Sequence, residues 1–138
     1  MLKRKTMPKT SKKPTRSKLV KKLDVIFSKY IRLSNADSRG YCTCVTCGKK
    51  GYWEKDIIDA GHFISRTAMA TRWDPRNVKP QCRYCNRFKA GLQYEYSLYL
   101  GDNLSKELLE KSREVTKFTI DELEEMITEY SSKLKSFL

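Results

Sequence analysis

Asn77-Val78-Lys79-Pro80-Gln81-Cys82-Arg83-Tyr84-Cys85-Asn86-Arg87-Phe88-Lys89 is the stretch whose reading decides the fold. It carries one C-x-x-C pair, Cys82 and Cys85, and a second pair, Cys44 and Cys47, lies upstream in Cys44-Val45-Thr46-Cys47-Gly48. Four thiolates suit a tetrahedral zinc ion, and a two-residue gap lets both sulfurs of a pair face it. Gly48 fits a knuckle turn, where the missing Cβ lets backbone N–H groups approach the sulfurs. The pairs are 34 residues apart (48–81), longer than in a simple ribbon, so zinc is expected to staple the ends of an inserted unit. The alternative is four buried reduced cysteines, which two such pairs in one short chain weigh against. Cys42 is left over. The C-x-x-C-G spacing favours Cys44 as the ligand, so Cys42 is read as a small buried residue or free thiol with no catalytic role.

Between the pairs runs Asp59-Ala60-Gly61-His62-Phe63-Ile64-Ser65-Arg66. A lone histidine is more often structural than functional, but this one follows an aspartate by three residues and lies inside the stapled insert. Residues 41–90 hold all five cysteines, the single histidine and both tryptophans. Their segments are short and broken by turn signals at Gly48, Gly51 and Asp74-Pro75. A small zinc-bound ββα unit over residues 41–92 is expected, and not a large sheet. Tyr52, Trp53, Trp73 and Tyr84 interleave with charges there; stacking on exposed bases is one use for such aromatics, and packing around the zinc knuckles is the expected one in so small a domain, with Trp53 assigned to the core and Trp73 left open between the two.

Outside this unit the chain reads as helical. Residues 17–40 predict a basic amphipathic helix over 17–34, capped by Ser17, with Leu19, Leu23, Ile26, Tyr30 and Leu33 on its apolar side and a break at Asn35, Asp37, Ser38 and Gly40. Residues 93–138 predict C-terminal helices: two short ones, over 92–100 and 104–114, then a longer one over 119–138. Thr119 and Glu122 fit a capping box for the last. Its stripe of Ile120, Leu123, Met126, Ile127, Tyr130, Leu134 and Phe137 suits either its own domain or an antiparallel dimer contact. The fold class is therefore α+β, a small zinc-stapled finger embedded in a mainly helical domain.

Composition narrows the function classes. The 138 residues include 29 Lys+Arg and 16 Asp+Glu, a formal net charge of +13, which points to a polyanionic partner. Residues 1–22 carry ten bases and no acid, residues 23–90 are net +7 and residues 91–138 are net −4. Residues 1–16, with Lys12, Lys13, Arg16 and two prolines, read as a disordered basic arm, either a solubilising tail or a phosphate-contacting segment. No apolar run approaches the roughly 20 residues of a membrane span, and the basic N-terminus lacks the apolar core of a signal peptide. A non-secreted protein without a disulfide framework, a membrane partner or a small-molecule cofactor is expected.

His62, then Asn77, then Cys82-x-x-Cys85-Asn86-x-x-Lys89 resembles the signature of the HNH, or His-metal finger, nucleases, which have a treble-clef-like ββα-metal fold. Within that superfamily DAGHFISR, QCRYCN and KFTIDELEEMITEY resemble the phage NinG/Rap recombination nucleases, from about residue 20 to the C-terminus. The resemblance implies a structure-specific endonuclease acting on branched DNA such as D-loops and Holliday junctions, in the cytoplasm of a phage-infected cell. Cutting a four-way junction twice would call for a homodimer.

The resemblance also implies roles. His62, the one imidazole in the chain, would be the general base, in its neutral form. A Mg²⁺ or Mn²⁺ ion would act at the scissile phosphate, with Asn86 as the family's helix ligand and Asp59 as the candidate second ligand. Gly61 departs from the pattern, since many HNH proteins carry an acid or His directly before the base; Asp59 and Gly61 would share a strand face, so Asp59 keeps a route to the ion. Asn77 would fix the loop carrying His62. Arg66, four residues past His62, is the candidate for transition-state charge, and Arg83, Arg87 and Lys89 are candidate phosphate contacts. A non-catalytic zinc finger that binds nucleic acid, with a structural His62, is the alternative. An acidic C-terminal helix that docks a protein partner is a third reading.

Overall fold

A computed structural model describes residues 14–138. Lys12, Lys13 and the rest of residues 1–13, expected to form most of a basic arm, lie outside that range. Helix α1 spans Arg16–Ser34, one residue earlier than its sequence predicts, because Thr15 and not Ser17 caps it: the Thr15 hydroxyl accepts the Lys18 N–H at 3.3 Å. Arg16 therefore belongs to a helix and not to an arm, and its guanidinium donates to the Phe118 carbonyl.

Helix α1 buries Leu19, Leu23, Phe27 and Ile31, a strict i, i+4 row. The expected stripe is rotated: Ile26, Tyr30 and Leu33 flank the contact and Phe27 and Ile31 centre it. The partner is helix α5 (Ile120–Lys135), whose N-terminus carries the capping box, with Thr119 accepting from Glu122 N and Glu122 accepting from Thr119 N, both at 3.0 Å. Its Leu123, Ile127 and Tyr130 close on α1, and Tyr130 meets Phe27 edge-on at 4.9 Å. The α5 stripe is thus used inside the chain.

Between these helices in sequence lie two antiparallel two-stranded sheets, β1 (Tyr41–Thr43) with β2 (Lys50–Tyr52), and β3 (Ile58–His62) with β4 (Val78–Cys82). In the second, Ile58 pairs with Cys82, Asp59 with Gln81 and His62 with Val78. A short helix α2 (Met69–Arg72) sits in the β3–β4 connection, and one π-helical turn, Tyr84–Phe88, follows β4. Trp53, Ile58 and Cys42 pack around the cysteine pairs, and Trp73 and Val78 join the α1–α5 core. Both tryptophans are buried, but Tyr84 is not: it stands on the outer side of the π-helical turn, 56% exposed.

Helices α3 (Gln93–Leu100) and α4 (Asp102–Ser112) complete the fold. The break between them is Gly101 alone, at φ +88°, so α4 starts two residues earlier than its sequence predicts. Asp102 then lies in the first turn, where a negative charge suits the helix dipole. Phe63, Tyr96 and Leu108 form a third small core beneath the β3 end.

Candidate functional site

The four Sγ atoms of Cys44, Cys47, Cys82 and Cys85 lie within 4.8 Å of one another, the one cluster of three or more potential His, Cys or carboxylate ligands among the described residues. Cys47 and Cys82 Sγ are 3.7 Å apart. Four sulfurs at a zinc–sulfur bond length of about 2.3 Å in a tetrahedron sit about 3.8 Å apart, so the set fits a zinc ion. Backbone and hydroxyl groups already point at the sulfurs: Cys85 N–H donates to Cys82 Sγ at 3.4 Å, and Thr46 Oγ1 lies 3.3 Å from Cys44 Sγ. Gly48 takes φ +79° as the knuckle turn requires. Cys42 stays apart. Its Sγ donates to the Arg32 carbonyl at 3.0 Å, and burial pushes its pKa up to about 11, so it is an unreactive thiol at neutral pH.

The other site is a cavity of about 580 Å³ lined by α1 (Asp24, Phe27, Ser28), β3 (Asp59, Ala60, His62), the loop after it (Ser65, Arg66) and, further on, Asn86, Arg87, Ala90, Gly91 and Gln93. His62 reaches it from the end of β3. Its Nε2–H donates to the Arg72 carbonyl at 2.9 Å. A carbonyl only accepts, so Nε2 carries the proton and Nδ1 keeps a free lone pair. Burial lowers the His62 pKa below 6.5; the Arg72 carbonyl opposes this, and the Arg66 charge adds to it. The imidazole is therefore neutral at pH 7.

Several groups hold that strand end in place. Asn77 is fully buried; its Oδ1 accepts from Ile64 N at 2.8 Å and its Nδ2 donates to the Ile64 and Thr71 carbonyls at 3.0 and 3.1 Å. Those three bonds tie the loop after His62 to β4 and α2. Gln93 Nε2 donates to the Phe63 carbonyl at 2.7 Å, and Tyr96 Oη donates to the Gly61 carbonyl at 2.7 Å. The fold also accounts for Gly61. A Cβ there would stand 2.2 Å from Gln81 Oε1, and Gln81 is buried, bridging Thr46 Oγ1 (3.2 Å) and the Gly91 carbonyl (2.8 Å). Space for Gln81, and not backbone conformation, excludes a side chain before His62.

Asp59 and Asn86 are brought together: Asn86 Nδ2 donates to Asp59 Oδ2 at 3.0 Å. Arg87 completes the group as a bidentate partner, with Nε and one terminal nitrogen each 3.0 Å from an Asp59 oxygen. With sequence order alone, Asp24 is invisible here. It accepts from Arg72 at 3.1 and 2.6 Å and from Trp73 Nε1 at 2.9 Å, with Arg66 3.8 Å away. It is the single acid among the six basic residues of α1, and that lone charge was the one available signal. Gln81, Gln93 and Tyr96 gave none.

A family model described as "Bacteriophage Lambda NinG protein" matches residues 2–137. The chain belongs to the NinG family. Among curated relatives, "Protein ninG" of Escherichia phage 933W and "Protein ninG" of Salmonella phage P22 are each 29% identical over 126 residues, covering 87% of this chain and 58% of their own length. The Escherichia phage lambda protein is 29% identical over the same number of residues, 57% of its length. The chain thus spans under three fifths of the NinG proteins it matches. No solved structure matches it. Among the described residues of this NinG-family chain, no helix is long and apolar enough to cross a membrane.

The remaining basic candidates separate in space. Arg66 lines the cavity and is 61% exposed. Arg87 also lines it, engaged with Asp59. Arg83 and Lys89 do not: Arg83 pairs with Asp56, and Lys89 Nζ lies 5.5 Å from the Tyr84 ring.

Proposed function

We propose that this chain is a metal-dependent endodeoxyribonuclease of the HNH type that hydrolyses phosphodiester bonds in branched DNA such as D-loops and Holliday junctions. The observation that carries the reading is a neutral His62 with Nδ1 free, at a cavity it shares with Asp59, Asn86 and two arginines. Nδ1 takes a proton from water as the water oxygen bonds to phosphorus, and the phosphorus–3′-oxygen bond breaks. Arg66 binds the phosphate oxygens as its planar guanidinium donors suit, and Arg87 joins it when metal binding releases it from Asp59. Asp59 and Asn86 offer oxygen donors of the kind Mg²⁺ or Mn²⁺ takes and would hold one such ion. The ion would supply Lewis-acid stabilisation of charge on the phosphate and leaving oxygen. Zinc at the four cysteines is structural in this reading, since a Cys₄ set leaves no open position.

The Arg87–Asp59 ion pair favours the second reading, a zinc finger that binds nucleic acid without cutting it, because it engages both carboxylate oxygens. Incubation with end-labelled D-loops, four-way junctions and plain duplex, in Mg²⁺ or Mn²⁺ and in chelator, separates the two. The nuclease reading predicts metal-dependent products from branched DNA. Binding without product on every substrate and with either metal establishes the non-catalytic reading.

A further inference from the structure

The π-helical turn after β4 has two faces. Asn86 and Arg87 look into the cavity, and Cys85, buried among the zinc-fitting sulfurs, anchors the backbone. The remaining side chains, Tyr84 and Phe88, are 56% and 75% exposed. Their rings stack on each other, centroids 6.1 Å apart at 27°, and Lys89 Nζ lies 5.5 Å from the Tyr84 ring. Two large rings held in water on a turn anchored by Cys85 contribute little to the core, so their placement calls for another explanation. We propose that Tyr84 and Phe88 form a base-stacking edge that takes unpaired bases of single-stranded or branched DNA. The inference rests on the nucleic-acid part of the reading above and not on cleavage.

Two features commit the edge to a nucleotide and not to an apolar protein segment. Arg83 and Lys89 flank the turn on either side of the rings, with Lys89 over the Tyr84 ring, giving the mixture of aromatic faces and cations by which single strands are held. The same five-residue turn also carries the cavity residues Asn86 and Arg87, so a strand passing the cavity comes within reach of the rings. A base inside a duplex has both faces covered by its stacked neighbours, which makes the edge a discriminator of unstacked, unpaired DNA.

The test compares wild type, Phe88→Ala and Phe88→Trp for binding to a fluorescent single-stranded oligonucleotide and to a blunt duplex of the same length. Phe88→Ala is expected to weaken single-strand binding roughly tenfold or more, from the energy of one base–aromatic stack, and to leave duplex binding within about twofold. Phe88→Trp should keep single-strand affinity, and its indole should be quenched by the single strand and not by duplex. Trp53 and Trp73 are buried, which leaves the new signal readable, and Phe88 is exposed enough for both variants to fold, as circular dichroism would verify. Unchanged single-strand affinity in Phe88→Ala, or equal loss on both DNAs, overturns the stacking edge while leaving nucleic-acid binding intact. Failure of wild type to bind either DNA overturns both.

Discussion

At His62 the fold sets the tautomer. The Arg72 carbonyl holds the Nε2 proton, and partial burial disfavours a second one. Because the folded-state pKa is pushed below 6.5, the neutral base is fully present above that value and is lost as pH falls through the lowered one. The single-turnover cleavage rate should accordingly be level in His62 protonation from neutral pH upward and fall on the acid side, with its midpoint below 6.5. An acid limb at or above 6.5 would show that His62 is not the titrating base. At this scale the sequence was informative where chemistry restricts residue type: the two C-x-x-C pairs meet in one cluster, and Asn77 bonds the loop that follows His62. It was silent where a side chain acts across the fold. Asp24 enters the site from a helix 38 positions before His62, and Arg87 reaches Asp59 only because β3 and the turn after β4 lie side by side. Tyr84 is exposed where packing around the knuckles is expected, because periodicity gives no face to a π-helical turn.

Among elements, the α1–α5 pair is the part that periodicity described best. The capping box sits at Thr119 and Glu122, and Leu19, Leu23, Leu123, Ile127 and Tyr130 lie in the contact. The rotation of the α1 stripe towards Phe27 and Ile31 follows from what α1 packs on, α5 on one side and β3 and β4 on the other, and no single-helix pattern contains that. Leu23 is wholly buried at the centre, so Leu23→Ala should destabilise the chain by about 2–5 kcal/mol, read from denaturant unfolding. A loss under about 1 kcal/mol would mean that the two helices do not form the main core. The β3–β4 connection is tied to α4 by charge. Burial would raise the Asp74 pKa, but hydrogen bonds from Arg76 (2.9 Å) and Lys111 (2.8 Å) outweigh it and hold it at about 2. Asp74 thus stabilises the fold above its ordinary pKa of 3.8, and that contribution fades as pH falls towards 2. Asp74→Asn should flatten the acid-side loss of stability between those values, as followed by circular dichroism; an unchanged acid transition would remove Asp74 from its cause.

Over the whole molecule, the cysteine cluster joins the first hairpin to the end of the second, and the cavity opens against the second hairpin's β3 and the turn that the cluster braces. Gln81 runs between the two, touching Thr46 beside Cys44 and Gly91 at the cavity wall. Zinc should therefore be needed for the cavity's shape as well as for the finger's stability. Purified protein should contain about one zinc per chain, and Cys82→Ala should lose it and become protease-sensitive between residues 41 and 92 while α1 and α5 stay paired. Stoichiometric absence of zinc would overturn the four-cysteine assignment. The net charge of +13 would favour a polyanionic partner and specifies nothing further. The nuclease reading depends on His62 being the base, and cleavage of a labelled four-way junction in Mg²⁺ or Mn²⁺ by wild type and His62→Ala, at equal junction occupancy, tests that most directly. The account predicts that both bind and that only wild type cuts, the variant's rate falling by at least about a hundredfold; equal cutting by the two proteins would contradict it.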